Sequence, residues 1–207
     1  EVEENIPLTD EGGVKKGSFI AEENGDYKFK AYDIAGNETL AKVVITNIDK
    51  ILPELTLTPS TTSPTNEDIT ITANATDNVE ISKIILPNNE EIEGDTAEYT
   101  VSENGTYEFR AIDTAGNEKT ESIEITNINK EKPIITIGEY NKDWTNQDIT
   151  VTATVDKGTL NQESYTFTEN GSFTFVVTDE YGNTAEETVT ITNIDKTPPK
   201  INITIIR

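Results

Sequence analysis

The chain of 207 residues contains no histidine, no methionine and no cysteine. Without His and Cys, the chain cannot build Ser-His or Cys-His catalysis, histidine-based zinc sites or iron–sulfur ligation. A disulfide framework is excluded as well. The sequence has no Gly-rich phosphate loop and no apolar run long enough to cross a membrane. We therefore expect no enzymatic activity, no zinc or iron–sulfur cofactor and no membrane insertion.

Basic residues are scarce in this chain. It has 16 Lys and Arg against 39 Asp and Glu, a formal net charge of −23 and a pI near 4.2. So acidic a surface repels nucleic-acid phosphates and anionic membranes, and it favours cations or basic partners. Hydrophobic residues make up only 33% of the chain. That content suits small two-layer sandwiches, in which each strand has one solvated face.

A motif of 28 residues occurs three times, at residues 23–50, 103–130 and 169–196. Each copy begins with Glu-Asn-Gly, alternates apolar and polar residues, reaches Asp-x-x-Gly-Asn and then alternates again. Period-two alternation predicts half-buried strands, and Asp-x-x-Gly-Asn predicts a turn with an Asp cap and a left-handed Gly. We also interpret Asn-Gly as a turn whose glycine adopts positive φ. The motif is therefore predicted to be a β-hairpin.

The segment between the first two hairpins predicts a complete sandwich. Seven strands are expected in residues 51–130: around Leu55, over 68–76, over 81–86, within 90–95, around Tyr99, and the two of the hairpin. That number is typical of a small β-sandwich. Residues 131–196 repeat the pattern in a shorter form. The deletion falls between Lys157 and Glu163, so the third strand there is predicted to be short or missing.

The two ends of the sequence predict parts of units. A strand is expected around Phe19 and Ala21, before the first hairpin, and a short one around Ile6 and Leu8. Ile201 and its neighbours match the first strand of a further unit. The expected domains are a partial unit at 1–50, complete units at 51–130 and 131–196, and an opening strand at 197–207.

Short proline-containing segments connect the units. We call them the first, second and third joint: residues 49–53, 129–133 and 195–199. Each leads from the last strand of one unit to the first strand of the next. Because proline fixes φ and the segments are short, they predict a semi-rigid rod.

Four sequence motifs carry a resemblance to a known family. They are TNEDITIT (65–72), ENGTYEFRAIDTAGNE (103–118), WTNQDITVT (144–152) and TNIDKTPP (192–199). These motifs resemble the bacterial immunoglobulin-like repeats of large surface proteins of Gram-positive bacteria. The resemblance implies tandem immunoglobulin-like antiparallel β-sandwiches in an extracellular, modular protein of the cell surface or the secreted fraction. It also implies repeats that space, present or adhere, and it transfers no catalytic residue.

Two functions remain open at this stage. One is a structural stalk whose partners are the adjacent domains of the same protein. The other is an adhesin or a binding module for a glycan or a host protein, using the loops at 90–95 and 157–163 and the single Trp144. Trp144 either stacks on a sugar or covers the end of the sandwich.

A calcium site is a further expectation. In an immunoglobulin-like sandwich, the loop after the second strand and the final hairpin loop lie at the pole that the preceding linker enters. The oxygen ligands expected there are Asp49, Asp77, Asn78, Glu80 and Asp113. Such a set suits calcium, and a solvated acidic pole is the alternative. Asn129 replaces the first of these residues at the second joint.

Head-to-tail self-association is a further expectation. An incomplete first unit exposes a sheet edge and an apolar slot, and the strand with Ile201, Ile203 and Ile205 could fill that slot in a neighbouring molecule. The alternative is that both ends simply fray.

Overall fold

The protein folds into β-structure. The computed structural model describes the backbone of residues 2–3, 9–11, 14–33 and 35–206, and the side chains of residues 17–33 and 35–206. Strands make up 51% and helix 0%, and the strands form several antiparallel sheets. No helix in these ranges could span a membrane. The all-β prediction is therefore confirmed, and the arrangement is consistent with a β-sandwich.

We call residues 1–50, 51–130 and 131–196 the first, middle and third repeat. The first repeat contains the first predicted hairpin. The strands in residues 1–50 are β1 (Val2–Glu3), β2 (Thr9–Glu11), β3 (Val14–Lys16), β4 (Gly25–Tyr32) and β5 (Glu38–Ile45). β4 and β5 pair antiparallel, β1 adds to β4 in parallel, and β2 pairs with β3 in a separate sheet.

One strand predicted before this hairpin is absent. Residues 17–22 form no strand, and the ring of Phe19 instead contacts the ring of Tyr27 with centroids 4.9 Å apart. The strand predicted around Ile6 and Leu8 lies outside the described residues.

The middle repeat has the seven strands that the sequence predicts. They are β6 (Glu54–Pro59), β7 (Ile69–Thr76), β8 (Ile81–Ile85), β9 (Glu91–Glu93), β10 (Thr96–Val101), β11 (Gly105–Asp113) and β12 (Glu118–Ile125). They form two sheets, ordered β10-β7-β6 and β12-β11-β8-β9. Burial in β7 alternates as predicted, since Ile69, Ile71 and Ala73 are all 0% exposed.

The third repeat is shorter than the middle repeat. Its strands are β13 (Ile135–Ile137), β14 (Ile149–Val155), β15 (Thr159–Leu160), β16 (Ser164–Phe167), β17 (Gly171–Thr178) and β18 (Thr184–Ile191). The two sheets are ordered β13-β14-β16 and β15-β17-β18. The predicted short third strand is β15, which has two residues.

One apolar core joins the two sheets of the third repeat. Its buried members are Ile149, Val151, Ala153, Phe167, Phe175, Val189, Ile191 and Ile194. The first four come from the β14 side, and the others come from the hairpin and the segment after it. Each faces inward because the side chains of a strand alternate between its two faces.

The tail does not form the predicted strand. Residues 197–206 contain no strand, and Ile201, Ile203, Ile205 and Ile206 are between 81% and 92% exposed. A strand needs a partner for its backbone groups, and this segment has no ladder within the described chain.

The Asn-Gly pairs are not the turns that the sequence suggested. Gly25, Gly105 and Gly171 begin strands, and none of them adopts positive φ. The asparagine side chains instead bond to the backbone of the segment that follows the second strand of the hairpin. In the middle repeat Asn104 Nδ2 donates to the carbonyl of Ile128, 2.8 Å away, and Asn104 Oδ1 accepts from the N–H of Ile128 at 2.9 Å. The other two copies carry the same pair of bonds, Asn24 with Ile48 and Asn170 with Ile194.

The chain divides into two compact units that do not coincide with the repeats. The first comprises Glu1–Leu57, Ala73–Ala97 and Glu108–Glu121, and the second comprises Thr58–Thr72, Glu98–Tyr107 and Ser122–Arg207. The first joint lies in the first unit and the second joint in the second unit.

Candidate functional site

The hairpin loop at residues 113–117 supplies one carboxylate of the candidate site. Asp113 Oδ1 accepts hydrogen bonds from the backbone N–H groups of Ala115 and Asn117, both 2.8 Å long. Asp113 Oδ2 accepts a 2.8 Å bond from Asn117 Nδ2. Gly116 has φ 91°, a conformation that residues with a Cβ rarely adopt. The predicted Asp cap and left-handed glycine are thus confirmed.

The charge of Asp113 is stabilised although its side chain is only 2% exposed. Burial raises the pKa of Asp113, but hydrogen bonds from the side chain and backbone of Asn117 and from the backbone of Gly116 and Ala115 outweigh it. The pKa therefore lies below its ordinary value of 3.8. At neutral pH this position carries a negative charge largely shielded from water.

Two further carboxylates converge on Asp113. Asp49 lies in the first joint, and Asp77 directly follows β7. One carboxylate oxygen from each of the three lies within 4.8 Å of the others. Between β11 and β8 the register shifts next to Asp113, an irregularity that often re-aims a side chain.

The carboxylate of Asp49 is incompletely bonded. Asp49 Oδ1 accepts a 3.2 Å bond from the N–H of Ile51. Asp49 Oδ2 is shielded from solvent and accepts no hydrogen bond from any described residue. Asp77 also accepts one bond, from the N–H of Val79 to its Oδ2 at 3.2 Å, but it has no buried oxygen without a partner. A buried acceptor without a partner destabilises the fold unless another group satisfies it.

The other two predicted ligands take different positions. Asn78 is exposed and borders a groove of about 590 Å³ that also touches Asp49. Glu80 is exposed and does not belong to the carboxylate cluster; its backbone carbonyl accepts a 2.9 Å bond from the N–H of Thr114. Of the five predicted ligands, the structure therefore brings together the carboxylates of three, Asp49, Asp77 and Asp113.

The hairpin loop is bonded to the joint at both places where this can be compared. At the first joint, Asn117 Nδ2 donates to the carbonyl of Asp49 at 3.3 Å. At the second joint, Asn183 Nδ2 donates to the carbonyl of Asn129 at 2.9 Å. The same amide thus has two roles, capping its own loop and holding the preceding joint.

The second joint has the same framework with different charges. Asn129 takes the place of Asp49, and Lys157 takes the place of Asp77. Lys157 Nζ lies 3.9 Å from Asp179 Oδ2 and donates a 2.8 Å bond to the carbonyl of Glu131. Burial raises the pKa of Asp179, but bonds from Asn183 and Tyr181 and the charge of Lys157 outweigh it, so the pKa lies below 3.8. The ammonium of Lys157 therefore offsets the negative charge of Asp179 at the second joint.

Trp144 lies in the loop before β14, next to Thr145, whose carbonyl accepts a 2.9 Å bond from the N–H of Asp195 in the third joint. Trp144 is 76% exposed. This does not fit the interpretation of a ring that covers the end of the sandwich, because such a ring would bury one face. The exposed ring remains available for stacking.

The role of Lys157 and the Asn104–Ile128 pairing were missed by sequence reasoning. A signal for both was present. Asp77 and Lys157 each lie eight residues after the first residue of their strands, Ile69 and Ile149. For the asparagine pairing, the signal is that Asn-Gly and the later Asn-Ile (47–48, 127–128 and 193–194) are equally far apart in all three copies. A constant spacing indicates that the two ends of the motif contact each other.

The chain matches no protein-family model and no curated protein sequence. The two joints therefore provide the comparison for the candidate site, since they share hydrogen bonds and differ in charge.

Proposed function

We propose that the chain is a non-catalytic region of tandem immunoglobulin-like sandwiches that acts as a semi-rigid stalk or spacer. The resemblance of its motifs supports an extracellular setting, in a bacterial cell-surface or secreted multidomain protein whose adjacent domains are its partners. The all-β sheets support the sandwich assignment. The lack of His and Cys supports the absence of catalysis.

The observation that carries this proposal is the repeated bonding of the joints. In each of the first two joints, an Asx side chain accepts from the backbone two residues on, Asp49 from Ile51 and Asn129 from Glu131. The loop amides Asn117 and Asn183 then bond the joint carbonyls. These bonds restrict the backbone of a short linker that already contains a proline, so they oppose hinge motion.

Small-angle X-ray scattering tests the stalk. An elongated particle is expected for the full chain, and a compact globular particle would contradict the proposal. The variant Asn117→Ala with Asn183→Ala should scatter as a more flexible chain, because both joints lose the amide from the loop. Asn88→Ala, which changes an exposed loop asparagine, is the matched control and should scatter like the wild type.

Trp144 favours a second candidate, a module that binds a glycan or a host protein. The ring of Trp144 is 76% exposed, and exposed aromatic faces stack well on sugars. A glycan array should show binding by the wild type that Trp144→Ala loses. If both proteins leave the array empty, this candidate fails for sugars.

A further inference from the structure

The first joint has the geometry of a divalent-cation site. Asp49, Asp77 and Asp113 each offer an oxygen within 4.8 Å of the other two. Two ligands bound to one Ca²⁺ at 2.3–2.6 Å lie at most about 5 Å apart, so this spacing is compatible with one ion shared by the three. Without a cation, three negative charges repel one another at a site that includes a carboxylate only 2% exposed.

A second observation concerns the bonding of Asp49 itself. Asp49 Oδ2 is buried beside this cluster and accepts no hydrogen bond within the described chain. Buried polar atoms almost always have partners, and a buried carboxylate oxygen needs a donor or a cation. Asp113 accepts three bonds, and Asp77 accepts one, as Asp49 does, but neither of these two has a buried oxygen without a partner.

At the second joint, a lysine of the chain itself provides a positive charge next to the hairpin-loop carboxylate. Lys157 occupies the position of Asp77, and its ammonium lies 3.9 Å from Asp179. Asn129 removes another of the negative charges. The bonds from the loop amide to the joint carbonyl are nevertheless the same at both joints. The two joints therefore share these bonds and differ in charge: the first has three carboxylates, and the second has one carboxylate beside an ammonium.

We propose that the first joint binds one Ca²⁺ through Asp49, Asp77 and Asp113, and that Lys157 replaces this ion at the second joint. The ligands are all oxygens, which hard cations prefer, and the chain has no histidine or cysteine to favour zinc or copper. Ca²⁺ fits better than Mg²⁺, because it accepts irregular sets of ligands and completes its shell with water. Bound there, the ion would link the joint, the end of β7 and the end of β11.

Isothermal titration of the chelator-treated full chain with CaCl₂ tests this proposal. The wild type should bind one Ca²⁺ per chain and melt at a higher temperature when it is bound. Asp77→Lys places at the first joint the lysine that the second joint has, so this variant should bind no Ca²⁺. In chelator, its melting temperature should be at least as high as that of the wild type. Glu80→Gln removes a neighbouring charge outside the cluster and should bind like the wild type.

The reciprocal change provides a gain of function. Asn129→Asp with Lys157→Asp gives the second joint three carboxylates, and this variant should bind two Ca²⁺ per chain. If Asp77→Lys does not fold, as judged by circular dichroism, Asp77→Asn replaces it and should bind Ca²⁺ at least about 10-fold more weakly.

Three results would overturn the proposal. They are no one-site binding by the wild type, equal binding by the wild type and the Asp77 variant, or tighter one-site binding of Mg²⁺ than of Ca²⁺. Cation binding does not depend on the stalk function, so a compact particle in scattering would leave this result standing.

Discussion

Replacing Asn104 with alanine should destabilise the middle repeat by about 1–3 kcal/mol. Asn104 makes two bonds with the backbone of Ile128, 2.8 and 2.9 Å long. Each such bond contributes about 0.5–1.5 kcal/mol, which gives this range. The upper half is favoured because Ile128 is only 7% exposed, so its N–H and carbonyl would be left with little access to water.

Hydrogen exchange measured by mass spectrometry at increasing urea concentrations resolves this effect along the chain. A multidomain chain need not unfold in one step, so a single global midpoint would mix the repeats. For Asn104→Ala, faster exchange is expected in peptides from residues 51–130. Asn170→Ala, which removes the matching pair with Ile194, should show the same loss in peptides from residues 131–196.

Asn88→Ala is the control for this prediction. Asn88 is exposed and bonds only to nearby Glu90 among the described contacts, so its replacement should change stability by about 0.5 kcal/mol or less. If Asn104→Ala and Asn170→Ala both stay within that range, the paired bonds do not stabilise the hairpins and the reasoning is refuted.

Three other predictions concern the loop charge, the core and the tail. The folded pKa of Asp179 is lowered from 3.8, so the stability that its ionised form contributes is present above that pH and is lost as the pH falls through the folded value. Melting temperatures between neutral pH and pH 2 should therefore fall less steeply for Asp179→Asn than for the wild type. Phe109→Ala should destabilise its repeat by about 3–5 kcal/mol, measured by the same hydrogen exchange in urea, because Phe109 is 0% exposed, whereas Phe29→Ala, at the matching but half-buried position, should cost its own repeat clearly less. Sedimentation separates the two alternatives for the tail, in which Ile201 and its neighbours are exposed. Fraying ends predict a monomer, whereas strand addition predicts concentration-dependent chains that disappear when residues 200–207 are removed; chains that persist would refute strand addition.

Most of the strand positions could be predicted because the signals are local. Alternation of apolar residues predicts β7 and β14, and burial in the structure alternates at the same positions. Local signals fail where a strand needs a distant partner. Residues 17–22 and 197–206 have suitable side chains and form no strand, because sequence pattern does not supply the backbone bonds of a ladder.

Within the repeated motif, one apparent turn signal is local and the other depends on a distant residue. Asn-Gly and Asp-x-x-Gly-Asn both look like turns, and only the second is one. Gly116 has φ 91° in its loop, whereas Gly105 begins β11 and the side chain of Asn104 bonds Ile128, 24 residues away. A dipeptide has no means of indicating so distant a partner.

The sequence by itself determined the all-β class, the three hairpins and the capped loops, because these depend on side-chain alternation and on bonds spanning at most four residues. It also restricted the site to oxygen ligands, since no His or Cys is present. Only the tertiary structure decided which acidic residues meet. Asp49, Asp77 and Asp113 are far apart in the chain and converge because the joint, β7 and β11 end together, while Glu80, three residues from Asp77, stays outside the cluster. The structure also placed Lys157 beside Asp179, since the distance between two charges depends on the folded backbone that holds them.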